Sequence, residues 1–250
     1  MFDGEVAWVT GSSTGIGRAV AIGLADQGCR VVVHYNRSED EARKVVEEIS
    51  ASGGEATLVG GDVADGGEVE RMAGEIEDRH GRLDILVNNA GSLIERRTLE
   101  EMTEDLWDRV MAVNLKSVYL CSQAVLPLMK RQGKGRIINM TSVAARNGGA
   151  PGSVAYATAK GGVSTLTRAM AKELVGDGIL VNGVAPGVIT TPFHDRFTPP
   201  EMRERLTAAI PMGREGTPEE VAGAVVFLAS SCADYLVGEI IEVNGGQLMS

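Results

Sequence analysis

The sequence predicts an α/β fold: a single domain built on a doubly wound parallel sheet of about seven strands, with helices on both faces. Three observations predict it. Short runs rich in Val and Ile alternate with longer segments of helical period, the pattern of successive βαβ units. Each intervening helical segment is long enough to make the crossover that parallel pairing demands. No strong linker or compositional break divides the 250 residues, a length at which α/β sheets commonly close as one unit.

Taken in order, strands are expected near 5–10, 30–35, 55–60, 84–88, 135–141, 178–184 and 238–243. Helices are expected near 15–27, 38–52, 66–80, 103–131, 155–175 and 218–230. Ser38-Glu39-Asp40-Glu41 predicts a capping box at the start of the second helix, and Thr103 an N-cap for the fourth. Pro127 lies inside that fourth segment and predicts a kink or an early end, because proline has no N–H to donate. The segment 190–217 differs in texture: Pro192, Pro199, Pro200 and Pro211 interrupt it, while Phe193, Phe197 and Met202 supply apolar bulk. It is expected to form a flap carrying one short helix.

Composition excludes several classes of function. Apolar residues make up 44% and charged residues 23%, so a sizeable core can be buried and disorder is not expected. A formal net charge of -10 opposes attraction to a phosphate backbone, and no nucleic-acid partner is expected. Cys29, Cys121 and Cys232 are odd in number and widely spaced, which predicts buried, reduced thiols rather than disulfides or a thiolate zinc site. His34, His80 and His194 have no zinc-binding spacing, and no metal is expected. The first residues carry no basic and apolar leader, and no apolar run reaches the ~18 residues of a membrane span. A cytoplasmic protein without a membrane partner is the expectation.

The first strand runs into Thr10-Gly11-Ser12-Ser13-Thr14-Gly15-Ile16-Gly17 and then into a helix. Glycines here allow close backbone approach to a pyrophosphate, and the helix start offers unpaired N–H groups to it. Any α/β protein could use such a tight turn, and Gly-x3-Gly-x-Gly differs from the common Gly-x-Gly-x-x-Gly fingerprint.

This turn resembles the cofactor turn of the short-chain dehydrogenase/reductase family, whose fold is a Rossmann-type sheet, and later motifs follow in that family's order. Asp62-Val63 follows the third strand, where the family's Asp contacts the adenine. Asn88-Asn89-Ala90-Gly91 resembles the NNAG segment that supports the sheet and lines the adenosine ribose. Pro186-Gly187-Val188-Ile189-Thr190-Thr191 resembles the PGxxxT segment that holds the nicotinamide carboxamide. The resemblance spans essentially the whole chain. It implies an NAD(P) site drawn from Gly11, Ser13, Thr14, Gly15, Ile16 and Gly17, then Asp62, Val63, Asn89, Ala90 and Gly91, and finally Pro186, Gly187, Ile189 and Thr191.

Tyr156-Ala157-Thr158-Ala159-Lys160 places two functional side chains at i and i+4, on one face of a helix. A phenol has a pKa near ~10, and an ammonium one turn away is expected to lower it toward the range of useful proton transfer. Ser142 lies upstream, just after the fifth strand, where the loop opens on the expected crevice. The resemblance implies that Tyr156 exchanges the proton, Ser142 hydrogen-bonds the substrate oxygen, and Lys160 binds the nicotinamide ribose and tunes Tyr156. It also implies that Asn114 contributes a water link to Lys160, although a satisfied polar residue within a helix would look the same. His194, in the flap, is a candidate substrate contact.

The end of the second strand, Val33-His34-Tyr35-Asn36-Arg37-Ser38, has no carboxylate for a ribose 2′-OH, whereas Arg37 could pair with a 2′-phosphate. NADP(H) is therefore expected over NAD(H), although Thr14 stands where many NADP-selective relatives carry a basic residue. The expected substrate is a small carbonyl or alcohol compound. The flap motifs and the ending Glu242-Val243-Asn244-Gly245-Gly246-Gln247 look like reductases of the keto-sugar acid 4-deoxy-5-hexoseulose uronate, with Arg146, His194 and Arg196 as candidates for its carboxylate. Reduction of 3-oxoacyl-carrier-protein substrates is the alternative, and a nucleotide-sensing scaffold without turnover is an alternative of another class. The resemblance further implies a homo-oligomer, with a tetramer favoured, paired through the helices near 103–131 and 155–175.

Overall fold

In the computed structural model, which describes residues 1–249, seven parallel strands form one sheet in the order β3-β2-β1-β4-β5-β6-β7. They are β1 (Val6–Val9), β2 (Arg30–Tyr35), β3 (Glu55–Gly60), β4 (Ile85–Asn88), β5 (Gly135–Met140), β6 (Ile179–Pro186) and β7 (Ile240–Val243). Alternation along the strands sorts the core into two layers. Ala7 and Val9 of β1 and Val31 and Val33 of β2 face one layer, and Val6, Trp8 and Val32 face the other. The first layer is closed by α1 (Gly15–Ala25), α2 (Glu39–Ala51) and α10 (Pro218–Ala229). The second is closed by α3 (Gly66–His80), α5 (Ser117–Gln132) and α7 (Val154–Leu174). Strand order reverses between β1 and β4, so the loops leaving their carboxyl ends diverge and open a crevice.

A chain of buried amides crosses the middle of the sheet. Asn88 Nδ2 donates to Asn139 Oδ1 at 2.9 Å and to Ser122 Oγ at 3.1 Å, and Asn139 Nδ2 donates to Thr167 Oγ1 at 3.0 Å. It ties β4 and β5 to α5 and α7 next to the crevice.

Several local expectations are corrected. Ser38 makes no capping hydrogen bond with its side chain, because its backbone (φ -100°, ψ 62°) departs from the extended conformation a capping box needs. Thr103 does cap α4 (Glu104–Met111), accepting from Leu106 N–H at 3.2 Å. Pro127 neither ends nor delimits a helix: α5 continues through it to Gln132, held by the buried Val125, Leu128 and Met129 on either side. The irregularity lies earlier, in a π-helical segment, Ala112–Lys116, between α4 and α5. A short helix α6 (Ala144–Asn147) follows β5, and the flap holds two helices, α8 (Pro192–Phe197) and α9 (Pro200–Ala208), each opened by a proline whose missing N–H costs nothing in the first turn. Cys29 and Cys121 are buried, but Cys232 is exposed because it sits in the turn after α10.

The amide chain makes the sheet sensitive at one position. Asn139→Ala strips a partner from both Asn88 and Thr167, and it should lower unfolding free energy in urea titration by about 1–3 kcal/mol. A loss within error of zero would mean that the chain contributes nothing.

Candidate active site

The crevice at the strand ends is a cleft of about 590 Å³. Gly11, Gly15 and Gly17 lie at one end of it and Ser142, Tyr156 and Lys160 at the other. The glycine turn is shaped by close packing. Gly11 adopts φ +63°, and a Cβ on Gly17 would fall 2.4 Å from both Asn89 Nδ2 and the Gly11 carbonyl oxygen. Asn89 Nδ2 donates to the carbonyls of Thr10 at 2.9 Å and Gly11 at 3.0 Å, while Thr10 Oγ1 accepts from the N–H groups of Asn89 and Ala90, each at 3.0 Å. Thr14 precedes α1 in extended conformation with no side-chain cap, and no acidic residue occupies the first turn. The opening N–H groups of α1 are thus offered to the cleft, a donor set suited to a pyrophosphate.

Beyond the turn, Asn36, Arg37 and Ser38 border the cleft at the end of β2, and no acidic side chain pairs with the exposed Arg37 among the described residues. Val63, Ala90 and Gly91 also border it, as do Pro186, Gly187, Ile189 and Thr191 on the far wall. Asp62 does not: it is exposed, and its Oδ1 accepts from Ala64 N–H at 2.9 Å to close the turn after β3.

At the other end, Lys160 is buried and its Nζ donates to the Met140 carbonyl at 2.7 Å, standing 5.7 Å from the centre of the Tyr156 ring. Asn114, in the π-helical segment, is fully buried. Its Nδ2 donates to the carbonyls of Ser92 at 2.7 Å and Val110 at 2.9 Å, and its Oδ1 accepts from Ser92 N–H at 3.0 Å. It stands behind Gly91, where an added Cβ would lie 2.8 Å from Asn114 Oδ1 and 3.3 Å from Lys160 Nζ. Burial pushes the Tyr156 phenol up to about 12, against a hydrogen bond from Ser142 that pulls it down. Burial also pushes Lys160 down to about 8. Desolvation thus outweighs the hydrogen bond from Ser142, and the phenol lies above its ordinary value rather than below it.

The flap closes this end. Phe193 packs against Tyr156 with ring centres 5.7 Å apart. His194 Nδ1 lies 2.9 Å from Thr198 Oγ1, and burial, its largest influence, lowers the pKa of His194. Arg203 anchors the flap, bonding Glu215 at 2.6 and 2.7 Å and Asp195 at 2.5 Å, and it draws the Glu215 carboxyl down to about 2. Arg196 reaches the cleft, whereas Arg146 does not and instead pairs with Glu242 at 3.4 Å.

Three cleft residues were missed by sequence reasoning. Arg96 is half-buried, with Nε donating to the Phe197 carbonyl and Nη1 to the Pro151 carbonyl, each at 2.9 Å. No acidic side chain pairs with it among the described residues, and burial lowers its pKa. Its partners are main-chain groups distant in sequence, so no local motif could reveal them. His34 enters the sequence reading only as lacking zinc-binding spacing, yet it borders the cleft. Gln247 enters the sequence reading only as the last residue of the ending that carries the resemblance, yet it lines the cleft, and its Oε1 is buried without a partner.

Comparison with known proteins gives one consistent picture. A family model described as Enoyl-(Acyl carrier protein) reductase matches residues 11–247. The 3-oxoacyl-(acyl-carrier-protein) reductase FabG of Staphylococcus aureus (strain N315) is 44% identical over 243 residues, covering 97% of this chain and 98% of that protein. The 3-oxoacyl-(acyl-carrier-protein) reductase of Synechocystis sp. is 45% identical over 246 residues, covering 98% and 97%. Among solved structures, a candidate gluconate dehydrogenase from Agrobacterium tumefaciens superposes with a TM-score of 0.94 at 35% identity, covering 100% of this chain and 98% of that one. A candidate NAD(P)-dependent gluconate 5-dehydrogenase from Beutenbergia cavernae, with NADP bound at low occupancy, gives 0.93 at 39% identity, covering 99% and 98%.

Proposed function

The chain belongs to the short-chain dehydrogenase/reductase family, and from that premise we propose that it is an NADP(H)-preferring reductase of a small keto-sugar acid. It is an NAD(P)-dependent oxidoreductase acting on CH–OH and C=O groups of a small molecule. The observation that carries the substrate reading is Arg96. A half-buried guanidinium without a carboxylate partner, beside Arg196 and His194 at the flap end of the cleft, suits a substrate that brings its own carboxylate. Ile94, two residues before it, is held at φ 60°, backbone strain that fits a loop fixed for function. The identity with 3-oxoacyl reductases favours a second reading, reduction of a carrier-bound acyl chain. The net charge of -10 gives no support to docking of an acidic carrier protein.

The nicotinamide, when bound, supplies or accepts the hydride. The donor set of the turn suits its pyrophosphate, Arg37 a 2′-phosphate, and the Pro186–Thr191 wall its carboxamide. Tyr156 gives its proton to the substrate oxygen as a carbonyl becomes an alcohol and takes one back in the reverse direction. Ser142 hydrogen-bonds the same oxygen. The Lys160 ammonium, fixed by the Met140 carbonyl, favours the phenolate that forms. Asn114 holds the Gly91–Ser92 backbone, so that Lys160 and the ribose side of the cleft keep their spacing. The flap at 190–217 covers the substrate. A homo-oligomer, with a tetramer favoured, would pair through α4, α5 and α7, where Tyr119 is exposed. No helix among the described residues is long and apolar enough to cross a membrane, and a cytoplasmic place remains part of the proposal.

Tyr156→Phe should abolish turnover and leave cofactor affinity within about threefold, since the ring still packs but the proton donor is gone. Steady-state turnover above about a tenth of wild type would sink the assignment. With the Lys160 pKa near 8, reductive kcat/KM should be level below that pH and fall above it as the ammonium is lost. A profile level to pH ~10 would remove Lys160 from the chemistry.

On the cofactor, kcat/KM should be higher with NADPH than with NADH, and Arg37→Ala should erase the difference. Higher values with NADH, unchanged by Arg37→Ala, would overturn the preference.

For the substrate, the decisive assay sets 4-deoxy-5-hexoseulose uronate against neutral sugars and a 3-oxoacyl thioester, all with NADPH. Arg96→Ala should raise KM for the keto acid by about tenfold or more, as loss of a charged hydrogen bond does. Efficient thioester reduction with no turnover of the keto acid would establish the second reading instead.

A further inference from the structure

We propose that His34 is a positioning residue for the cofactor: it clamps the glycine turn from behind by accepting the Gly11 N–H, and so holds the turn in the shape that receives a dinucleotide pyrophosphate. The inference rests on the cofactor reading above and assigns a role to a residue that touches neither substrate nor chemistry.

His34 is only 1% exposed and lies on β2, between β1 and β3. Its backbone extends the sheet past the end of β1, with Ser12 N–H donating to the His34 carbonyl at 3.0 Å and His34 N–H donating to Ser12 Oγ at 2.9 Å. The ring completes the link. Nδ1 accepts from Gly11 N–H at 2.8 Å, and Nε2 lies 3.0 Å from the Gly61 carbonyl at the end of β3. Because an amide N–H can only donate and a carbonyl can only accept, the proton must sit on Nε2. Both ring nitrogens are then satisfied in the neutral form alone, in keeping with a pKa that burial pushes down to about 4.

The Gly11 N–H is therefore spent on His34 and is not a phosphate donor. Its contribution is shape. Gly11 stands at φ +63°, with its carbonyl held by Asn89 from the β4 side and its N–H held by His34 from the β2 side. A turn gripped on both sides of the strand-order reversal stays open to the cleft without paying to become ordered when the dinucleotide arrives.

Two substitutions separate this clamp from simple core packing. His34→Leu fills much of the space and removes both ring bonds. His34→Asn places Oδ1 on the atom next to Cγ, as Nδ1 is, so it can still accept from Gly11, but it is too short to reach Gly61. NADPH dissociation constants from fluorescence titration should rise by about tenfold or more in His34→Leu and by less than about threefold in His34→Asn, the size of one buried hydrogen bond. The loss should fall on cofactor Kd and KM more than on kcat at saturating cofactor. Hydrogen exchange at the Gly11 amide, measured on the protein alone, should quicken in the Leu variant and not in the Asn variant. Equal weakening in both variants, or wild-type affinity in His34→Leu, would overturn the clamp, as would unchanged exchange at Gly11. A wild-type protein that bound neither NADPH nor NADH would instead overturn the cofactor reading, leaving the exchange result to judge the clamp.

Discussion

Asn89 donates two hydrogen bonds to the carbonyls of Thr10 and Gly11, and Thr10 returns two through its hydroxyl oxygen. That exchange joins the end of β1 to the end of β4, the two strands between which the order of the sheet reverses. Without it the loops would still diverge, but nothing would hold the glycine turn at a fixed distance from the Ala90–Gly91 backbone. The glycines follow from the same constraint, because a side chain at Gly17 would occupy the place of the Asn89 amide. Asn88, one residue earlier, faces the other way and joins the buried chain that reaches α5 and α7. Two adjacent asparagines thus hold the glycine-turn end and the Tyr156–Lys160 end of one cleft in register.

At the Tyr156–Lys160 end of the cleft, burial does more than any single charge. It raises the phenol of Tyr156 and lowers the ammonium of Lys160, so each group moves toward its neutral form. The result is a protonated donor next to a cation that can be discharged near neutrality. The acid-poor surroundings of Arg96 add a second uncompensated charge a short distance away along the same cleft. Charge left unpaired in a half-buried position is costly, and a bound anion is the natural remedy.

Much of this was legible in the sequence because it depends on local spacing. The sheet follows from alternating apolar runs, and the face shared by Tyr156 and Lys160 from a four-residue interval. Thr103 could be identified as a cap because the capping bond closes within three residues. Other features depend on contacts that no window contains. Arg96 bonds carbonyls 55 and 101 residues away, and His34 reads as an ordinary strand residue until β1 and β3 are set on either side of it. Pro127 misled for a related reason: its local cost is real, but tertiary packing on both sides outweighs one missing hydrogen bond. Arg146 and Asp62 have suitable chemistry but do not line the cleft, which composition cannot distinguish.

The π-helical segment at Ala112–Lys116 limits how this chain can change in length. A π turn is an α-helix carrying one surplus residue. Deleting one residue there would restore regular α-helical winding and leave α5 in its present phase relative to α4, because the π turn absorbs its surplus locally. The change would fall on the bulge itself: Asn114 would lose the place behind Gly91 that the wider turn gives it, while Val118, Cys121 and Val125 would keep their buried face. The helix could be perfectly stable and still have lost its hold on the Gly91–Ser92 backbone. Substitutions can be absorbed singly along this helix, but its residue count is tied through Asn114 to the backbone at Ser92, so insertions and deletions belong to the surface loops.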